Sequence, residues 1–189
     1  TAIDDEITIT APSATKEYDG TALTPDKTEV EVTGVPDGYE VVIDEVTGSA
    51  TNVNDDGTTE VTKYHIIDAN GEDVTEQFDT DKITVNTGKL TITPATLTVT
   101  ADSASKEYDG TPLTKSTYQV SGLKGSDSVT SVTVTGSQTT VGSNDNVPSD
   151  AVIETADADN YSVKYVNGKL TVTAIDDEIT ITAPSATKE

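Results

Sequence analysis

The stretch ITITAPSATKEYDGTALT, from Ile7 to Thr24, returns 90 residues later as LTVTADSASKEYDGTPLT, from Leu97 to Thr114. In addition, residues 1–17 return letter for letter as residues 173–189. Self-similarity at a fixed spacing is the signature of a tandem repeat. We therefore expect a pair of unequal modules, at residues 1–94 and 95–174, followed by the opening strand of the next repeat at residues 175–189.

Both modules contain segments in which apolar and polar residues alternate, which is the period of a half-buried strand. The first module has six such segments, namely Glu6–Thr10, Thr28–Thr33, Tyr39–Thr47, Thr58–Ile67, Lys82–Asn86 and Lys89–Thr93. The second module also has six, namely Thr96–Thr100, Thr117–Ser121, Ser128–Thr135, Ala151–Thr155, Ser162–Val166 and Lys169–Thr173. The sequence predicts an all-β chain of two small β-sandwich-like (Ig-like) modules placed end to end, with a β-grasp-like or atypical mixed sheet as the alternative.

The motif KEYDGT follows the first strand of each module, where a turn containing glycine would reverse the chain. A tyrosine there can bury its ring while its hydroxyl reaches a backbone partner, and an aspartate can bond nearby amides. We therefore expect a structural corner in both modules. Its residues are Lys16, Tyr18, Asp19 and Gly20 in the first module, and Lys106, Tyr108, Asp109 and Gly110 in the second.

The end of each module carries a second turn signal. Val166-Asn167-Gly168-Lys169 has the Asn-Gly pair that is typical of a two-residue β-hairpin, and Asn86-Thr87-Gly88 is one residue longer. The sequence predicts a tight hairpin at the first of these sites and a longer or bulged turn at the second.

Composition excludes several classes of function. The net charge is −23, and all eleven basic residues are lysine, so the bidentate arginine fork that commonly reads phosphates and guanine is missing. We expect no nucleic-acid partner. No apolar run approaches the roughly 20 residues that cross a bilayer, so we expect no membrane insertion of this segment.

Candidate chemistry is sparse. His65 is the one histidine and cysteine is absent, so a nucleophile-base arrangement cannot recur in both modules, and we expect no enzyme and no cofactor. The carboxylate-rich turns Asp68–Asp73 and Asn52–Gly57 offer oxygen ligands for calcium, but neither has EF-hand spacing. A Lys-to-Asn isopeptide bond at Lys16 and Lys106 is a further alternative, against which the exposed character of the KEYD turn argues.

The motifs together resemble the YDG/MBG-type modules of bacterial surface proteins. They are KEYDGT followed by Leu23 or Leu113, the GSATNV and GSQTTV segments at Gly48–Val53 and Gly136–Val141, and the closing GKLTIT and GKLTVT. An Asn-Tyr pair before the closing strands also fits at Asn160-Tyr161, whereas the first module has Gln77-Phe78 there. The resemblance implies β-rich domains, often many in tandem, that project a terminal binding region from the cell surface.

The junctions between modules suggest how such a chain would work. Little more than Pro94-Ala95 separates the last strand of the first module from the first strand of the second, so no flexible linker is expected. We therefore expect an extracellular stalk or spacer whose partners are neighbouring modules of the same chain. The alternative is an adhesive module that binds a host glycan or host protein, which clustered exposed aromatic residues would favour.

Overall fold

The computed structural model describes residues 3–184 and confirms the all-β class, because its helical segments are single turns of 3-10 helix. In the first repeat the strands are β1 Ile7–Thr10, β2 Ala14–Glu17, β3 Glu31–Thr33, β4 Tyr39–Thr47, β5 Thr58–Asp68, β6 Ile83–Asn86 and β7 Gly88–Thr93. In the second they are β8 Ala95–Ala101, β9 Ala104–Glu107, β10 Tyr118–Ser121, β11 Ser128–Thr135, β12 Gly142–Glu154, β13 Tyr161–Val166 and β14 Gly168–Thr173. The 3-10 turns are Lys27–Glu29, Thr75–Gln77, Thr80–Lys82 and Ala158–Asn160.

Each repeat builds one three-stranded and one four-stranded sheet with the same strand order. The three-stranded sheets run β3-β1-β6 and β10-β8-β13, and the four-stranded sheets run β2-β7-β5-β4 and β9-β14-β12-β11. In the first repeat β1 pairs antiparallel with β3 but parallel with β6, and β7 pairs parallel with β2 but antiparallel with β5. The sheets are therefore mixed, which was the alternative to a purely Ig-like sandwich.

Alternation along the strands places one set of side chains in the core. Ile7 and Ile9 of β1 have no exposed surface, whereas Thr8 and Thr10, which alternate with them, are half-buried. The core of the first repeat draws on both of its sheets, and its buried members are Ile7, Ile9, Ala11, Val61, Ile66, Val74 and Phe78. Burying an isoleucine side chain contributes about 1.5–3 kcal/mol, so β1 anchors this core.

Six predicted strands per module is one fewer than the described residues contain. The missed strands are β2 and β9, with the sequences ATKE and ASKE. Both lie at the edge of a four-stranded sheet, each parallel to the closing strand of its repeat. Short edge strands with lysine and glutamate avoid pairing with other chains, and their polar composition gave no apolar alternation to detect.

Strand β12 is also longer than predicted. It spans thirteen residues, Gly142–Glu154, whereas the prediction covered only Ala151–Thr155. Its N-terminal half is polar and pairs antiparallel with β14. Backbone pairing with the closing strand therefore forms a strand in a segment that lacks the alternation of apolar and polar residues.

The hairpins predicted at Val166–Lys169 and at Asn86–Gly88 are wrong. Only Asn167 separates β13 from β14, and these strands belong to different sheets, as do β6 and β7. Gly88 and Gly168 are required for space and not for a positive φ. A Cβ atom at Gly88 would lie 2.3 Å from the Pro12 carbonyl oxygen, and one at Gly168 would lie 2.5 Å from that of Asp102.

Beside each of these glycines, a buried polar side chain of the paired strand donates to the backbone carbonyl that the glycine approaches. Thr59 pairs with Gly88, and its hydroxyl donates to the Pro12 carbonyl at 2.7 Å. Asn146 pairs with Gly168, and its amide donates to the Asp102 carbonyl at 2.9 Å. In both repeats, an equivalent hydrogen bond therefore stabilises the point at which the chain passes from one sheet to the other. The side chain that makes it differs between the repeats.

The chain divides into two compact units. The first comprises Thr1–Leu97, Gly122–Val129 and Ile153–Val163, and the second comprises Thr98–Ser121, Thr130–Val152 and Lys164–Glu189. The repeat boundaries that we expect after residues 94 and 174 concern the sequence repeat and stay predictions. The first compact unit accordingly includes two segments of the second repeat. Within residues 3–184, no helix is long and apolar enough to cross a membrane.

The expected opening strand at 175–189 lies partly outside the described residues. Residues 174–184 are not in a strand. Ile179 and Ile181, which match the buried Ile7 and Ile9 in sequence, are 85% and 90% exposed. In the first repeat, by contrast, strand β1 is held between β3 and β6.

We predict that Gly88→Ala lowers the free energy of unfolding by about 3 kcal/mol, because the added methyl group meets backbone carbonyls that cannot rotate away. Gly71→Ala is the control, since Gly71 has a φ of +82° but nothing within 4 Å of an added Cβ. It should cost about 1 kcal/mol. Urea unfolding followed by circular dichroism measures both, and equal losses would show that space does not fix glycine at position 88.

Candidate functional site

The KEYDGT corner of the first repeat is a closed hydrogen-bond network. The Lys16 ammonium, on β2, donates to Asp19 Oδ1 at 2.8 Å, to the Thr21 carbonyl at 2.7 Å and to the Thr21 hydroxyl at 2.8 Å. The same Asp19 oxygen accepts the Thr21 backbone N–H at 2.8 Å. Gly20, with a φ of +80°, permits the tight reversal between them.

The second repeat reproduces this network. The Lys106 ammonium lies 2.6 Å from Asp109 Oδ1 and 2.8 Å from the Thr111 carbonyl, and Gly110 has the same φ of +80°. The lysine ammonium, aided by the threonine, holds the pKa of Asp19 and of Asp109 well below the usual range of an aspartate. Each lysine amine thus engages an aspartate and a threonine, which is not the Lys-Asn arrangement that an isopeptide bond requires.

The tyrosines of the two corners have different environments. Tyr18 is buried, with 4% of its surface exposed, and its hydroxyl donates to a carboxylate instead of the predicted backbone partner. Tyr108 is 40% exposed, so the expectation of a buried ring is wrong for the second corner. The corner itself therefore does not bury the ring, and the neighbours of Tyr18 must do so.

Those neighbours come from two segments of the second repeat that belong to the first compact unit. The hydroxyls of Tyr18 and Tyr161 both donate to Asp127 Oδ2, at 2.9 Å and 2.8 Å, and the two rings meet edge to face with centroids 5.5 Å apart. The Tyr161 hydroxyl also accepts the Lys124 backbone N–H at 2.8 Å. We call Tyr18, Asp127 and Tyr161 the tyrosine-aspartate cluster.

Burial raises the pKa of both phenols. It is the main cause that raises the pKa of Tyr161 to about 12, and the Asp127 carboxylate contributes to the same direction. The pKa of Tyr18 is raised for the same two reasons. Both hydroxyls therefore keep their protons, and their role as donors to Asp127, throughout the neutral range.

A second set of contacts joins residues 52–54 to residues 157–160. Asn160 is fully buried, and its side-chain carbonyl accepts the Val53 backbone N–H at 2.9 Å while its amide donates to Asn52 Oδ1 at 2.9 Å. The Asn54 amide donates to Asp159 Oδ2 at 2.8 Å. We call the tyrosine-aspartate cluster and these contacts together the seam.

Glycine and one ion pair complete the seam. A Cβ atom at Gly20 would lie 3.3 Å from the Cα of Gly125, so the KEYDGT corner and the loop that carries Asp127 approach closely. The Lys124 ammonium lies 3.3 Å from a Glu17 carboxylate oxygen. That pair is partly exposed, so it contributes less than the buried hydrogen bonds.

The carboxylates considered for calcium binding accept hydrogen bonds from backbone groups of their own turns. The Asp68 carboxylate accepts the backbone N–H groups of Asn70 and Glu72, and the Asp55 carboxylate accepts those of Thr51 and Asn52. Among residues 3–184, no group of three or more His, Cys, Asp or Glu is arranged to hold a metal ion.

His65 lies on β5, and its Nδ1 is 2.8 Å from the Asp44 carboxylate on β4. That hydrogen bond raises the pKa of His65 above its ordinary value of 6.5. The pair therefore joins two neighbouring strands of the four-stranded sheet.

The sequence motifs therefore belong to two structures. One is the local KEYDGT corner, and the other is the seam, which joins residues that are distant in sequence. Residues 97–171 match the MBG domain (YGX type). The MBG match confirms the resemblance over most of the second repeat, including its KEYDGT corner and the Asn160-Tyr161 pair. MBG domains are repeat modules found in extracellular surface proteins and are not an enzyme family. No curated protein and no solved structure matches the chain.

Two members of the seam had no signal of their own in the sequence. Asp127 lies in a serine- and glycine-containing loop that resembles any exposed turn, and Lys124 takes part through its backbone N–H. The Asn160-Tyr161 pair did have a signal, since it belongs to the MBG-type pattern. The partners of Tyr161 are Tyr18 and Asp127. They could not be inferred from the sequence, because they lie 109 residues from each other.

We predict that Asp127→Ala destabilises the first compact unit by about 1–3 kcal/mol, because two buried tyrosine hydroxyls lose their acceptor. It should also lower the pKa of Tyr161, measured by ultraviolet titration of the phenols. Asp37→Ala, which removes the same charge from an exposed loop position, is the control. Equal stability of the two variants in urea would contradict a structural role for the cluster.

We predict that His65 makes stability depend on pH near neutrality. Its pKa is raised on folding, so its contribution is complete below the ordinary value of 6.5 and is lost as pH rises through the folded pKa. The free energy of unfolding should therefore fall with rising pH in this range, relative to His65→Gln. Parallel pH profiles of the two proteins would show that the Asp44 contact carries no linkage.

Proposed function

We propose that this chain is a structural stalk segment of a bacterial surface adhesin, in which consecutive repeats interlock and hold a distal binding domain away from the cell. The observation that carries the proposal is the seam. In the first compact unit, side chains of the first repeat are buried against segments of the second. The partners in this proposal are neighbouring repeats of the same chain.

Three features of the seam make it suited to resist bending. Its central carboxylate accepts two hydrogen bonds from buried tyrosines, and such charge-assisted bonds are stronger than neutral ones. Asn160 adds a fully buried contact to a different loop of the first repeat. The two contacts involve separate parts of the first repeat, so a rotation about one of them would break the other.

The covalent connection between the repeats adds to this restraint. Strand β7 ends at Thr93 and β8 begins at Ala95, so Pro94 alone connects them. Proline fixes its own φ near −65° and restricts the residue before it. The Thr93 carbonyl also accepts the Tyr18 backbone N–H at 2.8 Å, next to the seam.

Charge favours an extended array of such repeats. The net charge of −23 places carboxylates over both repeats, and their mutual repulsion opposes folding back of one pair onto another. This repulsion acts over about 8 Å at physiological ionic strength, so it assists the seam but does not replace it.

We predict that arrays of two, four and six repeats have a maximum dimension that grows almost linearly with repeat number, as measured by small-angle X-ray scattering. A freely jointed chain would instead follow a square-root dependence. Arrays that carry Tyr18→Ala and Asp127→Ala in every pair are the matched control and should grow less steeply. Square-root growth of the unchanged arrays would exclude the spacer role.

A further inference from the structure

Tyr108 presents an exposed ring on a corner that is built like that of Tyr18. The hydrogen bonds of the Lys106 corner match those of the Lys16 corner to within 0.2 Å. The local structure therefore does not account for the difference between 4% exposure of Tyr18 and 40% exposure of Tyr108. The difference lies in the partner, because Tyr18 packs against residues of the repeat that follows it.

The chain encodes the start of the repeat that would follow Tyr108. Residues 173–189 are identical to residues 1–17, so the sequence after the second repeat is that of a first repeat. The surface that such a repeat would offer to Tyr108 is visible on the first repeat of this chain. It is the counterpart of the loop that carries Lys124 and Asp127.

Strand register identifies that counterpart. Val32 of β3 pairs with Ile9, and Val120 of β10 pairs with Val99, so Val32 and Val120 occupy equivalent positions. Two residues later, Gly34 and Gly122 both have a positive φ. A Cβ atom at Gly34 would lie 2.0 Å from the carbonyl oxygen of Glu6, just before β1, and one at Gly122 would lie 2.3 Å from that of Thr96, near the start of β8.

Counting onward from these glycines, Pro36 takes the place of Lys124 and Tyr39 takes the place of Asp127. Val35, Pro36 and Tyr39 are all half-buried, and the Tyr39 ring packs edge to face on Phe78 with centroids 5.2 Å apart. Beside the exposed carboxylate of Asp37, the loop therefore offers three apolar side chains, and proline and tyrosine stand where the other repeat has a lysine and a carboxylate.

We propose that the Tyr108 ring docks on Val35, Pro36 and Tyr39 of a second copy of the first repeat. This proposal rests on the proposed tandem array and names the partner of its other junction. The array would then alternate two kinds of seam, one built on the Asp127 carboxylate and one built on apolar contact. The second seam lacks a counterpart of the Lys124-Glu17 ion pair, because proline replaces the lysine.

The test uses the full 189-residue chain and the same chain extended after Glu189 by a copy of residues 18–97, which completes another first repeat. Tyrosines are nitrated with tetranitromethane and located by mass spectrometry. In the 189-residue chain, we expect Tyr108 to react and Tyr18 to be protected. In the extended chain, the nitration rate of Tyr108 should fall several-fold, toward that of Tyr18.

Two internal controls make the result decisive. Tyr165 is 39% exposed in the same repeat and should react equally in both chains. Hydrogen exchange at residues 179–182, which match β1, should slow in the extended chain and so show that the added repeat has folded. With that repeat folded, unchanged reactivity of Tyr108 would overturn the proposal.

A charged variant tests the docking surface itself. Pro36→Glu, placed only in the added repeat, puts an unpaired carboxylate against the ring and should restore the reactivity of Tyr108. Protection that survives this change would assign Tyr108 to another surface and overturn the proposal. So would a glycan that protects Tyr108 in the 189-residue chain with saturable binding.

The outcome is separable from that of the stalk proposal. Linear growth of the arrays in scattering, together with a reactive Tyr108, would overturn the apolar seam and leave the spacer role in place. Flexible arrays together with a protected Tyr108 would overturn the spacer role and leave the apolar seam in place.

Discussion

The joining of the two repeats depends on the hydrogen bonds that the carboxylate of Asp127 accepts. Two phenol hydroxyls donate to the same oxygen, and one of those phenols accepts a backbone N–H from the loop that carries the carboxylate. A buried tyrosine hydroxyl without a partner is costly, so each ring can enter the first compact unit only if the acceptor is there. The loop, the KEYDGT corner and strand β13 are thus fixed with respect to one another by one side chain.

The KEYDGT corner complements this by being independent of its surroundings. Its lysine, aspartate and threonine satisfy one another locally, and the network is the same beside a buried Tyr18 as beside an exposed Tyr108. A corner of this kind positions the tyrosine before any partner arrives. The cost of ordering the backbone that carries the tyrosine is therefore met within the repeat.

Strands with apolar and polar residues in alternation could be predicted from the sequence. The segments Tyr39–Thr47 and Ser128–Thr135 match the observed strands to the residue, because apolar and polar residues alternate over much of each. Features decided by close backbone contacts could not be predicted. The Asn-Gly pair at Asn167 suggested a hairpin, but Gly168 is needed because carbonyl oxygens leave no room for a side chain.

The seam was out of reach for a related reason. Its residues lie in loops, which have no periodicity, and their contacts span more than 100 residues of sequence. Local patterns carry information about local structure, whereas a hydrogen bond between distant loops depends on how whole sheets are placed. The corner could therefore be identified as structural from its composition. The residues that its tyrosine contacts could not be identified in this way.

The inequality of the two repeats has a physical interpretation in these terms. Residues that build the fold are the same in both, including the KEYDGT corner and the closing glycine. The residues that join the repeats in the seam, Asp127 and Tyr161, correspond to Tyr39 and Phe78 in the first repeat. If every repeat offered the same surface, any repeat could pair with any other, and an array could slip by one register. Two alternating surfaces, one polar and one apolar, penalise such a slip, because a carboxylate would face apolar side chains without a hydrogen-bond donor. On the proposal that Tyr108 docks on the next first repeat, this would account for a repeating unit of two modules, since repeating a single module would place two like surfaces in succession.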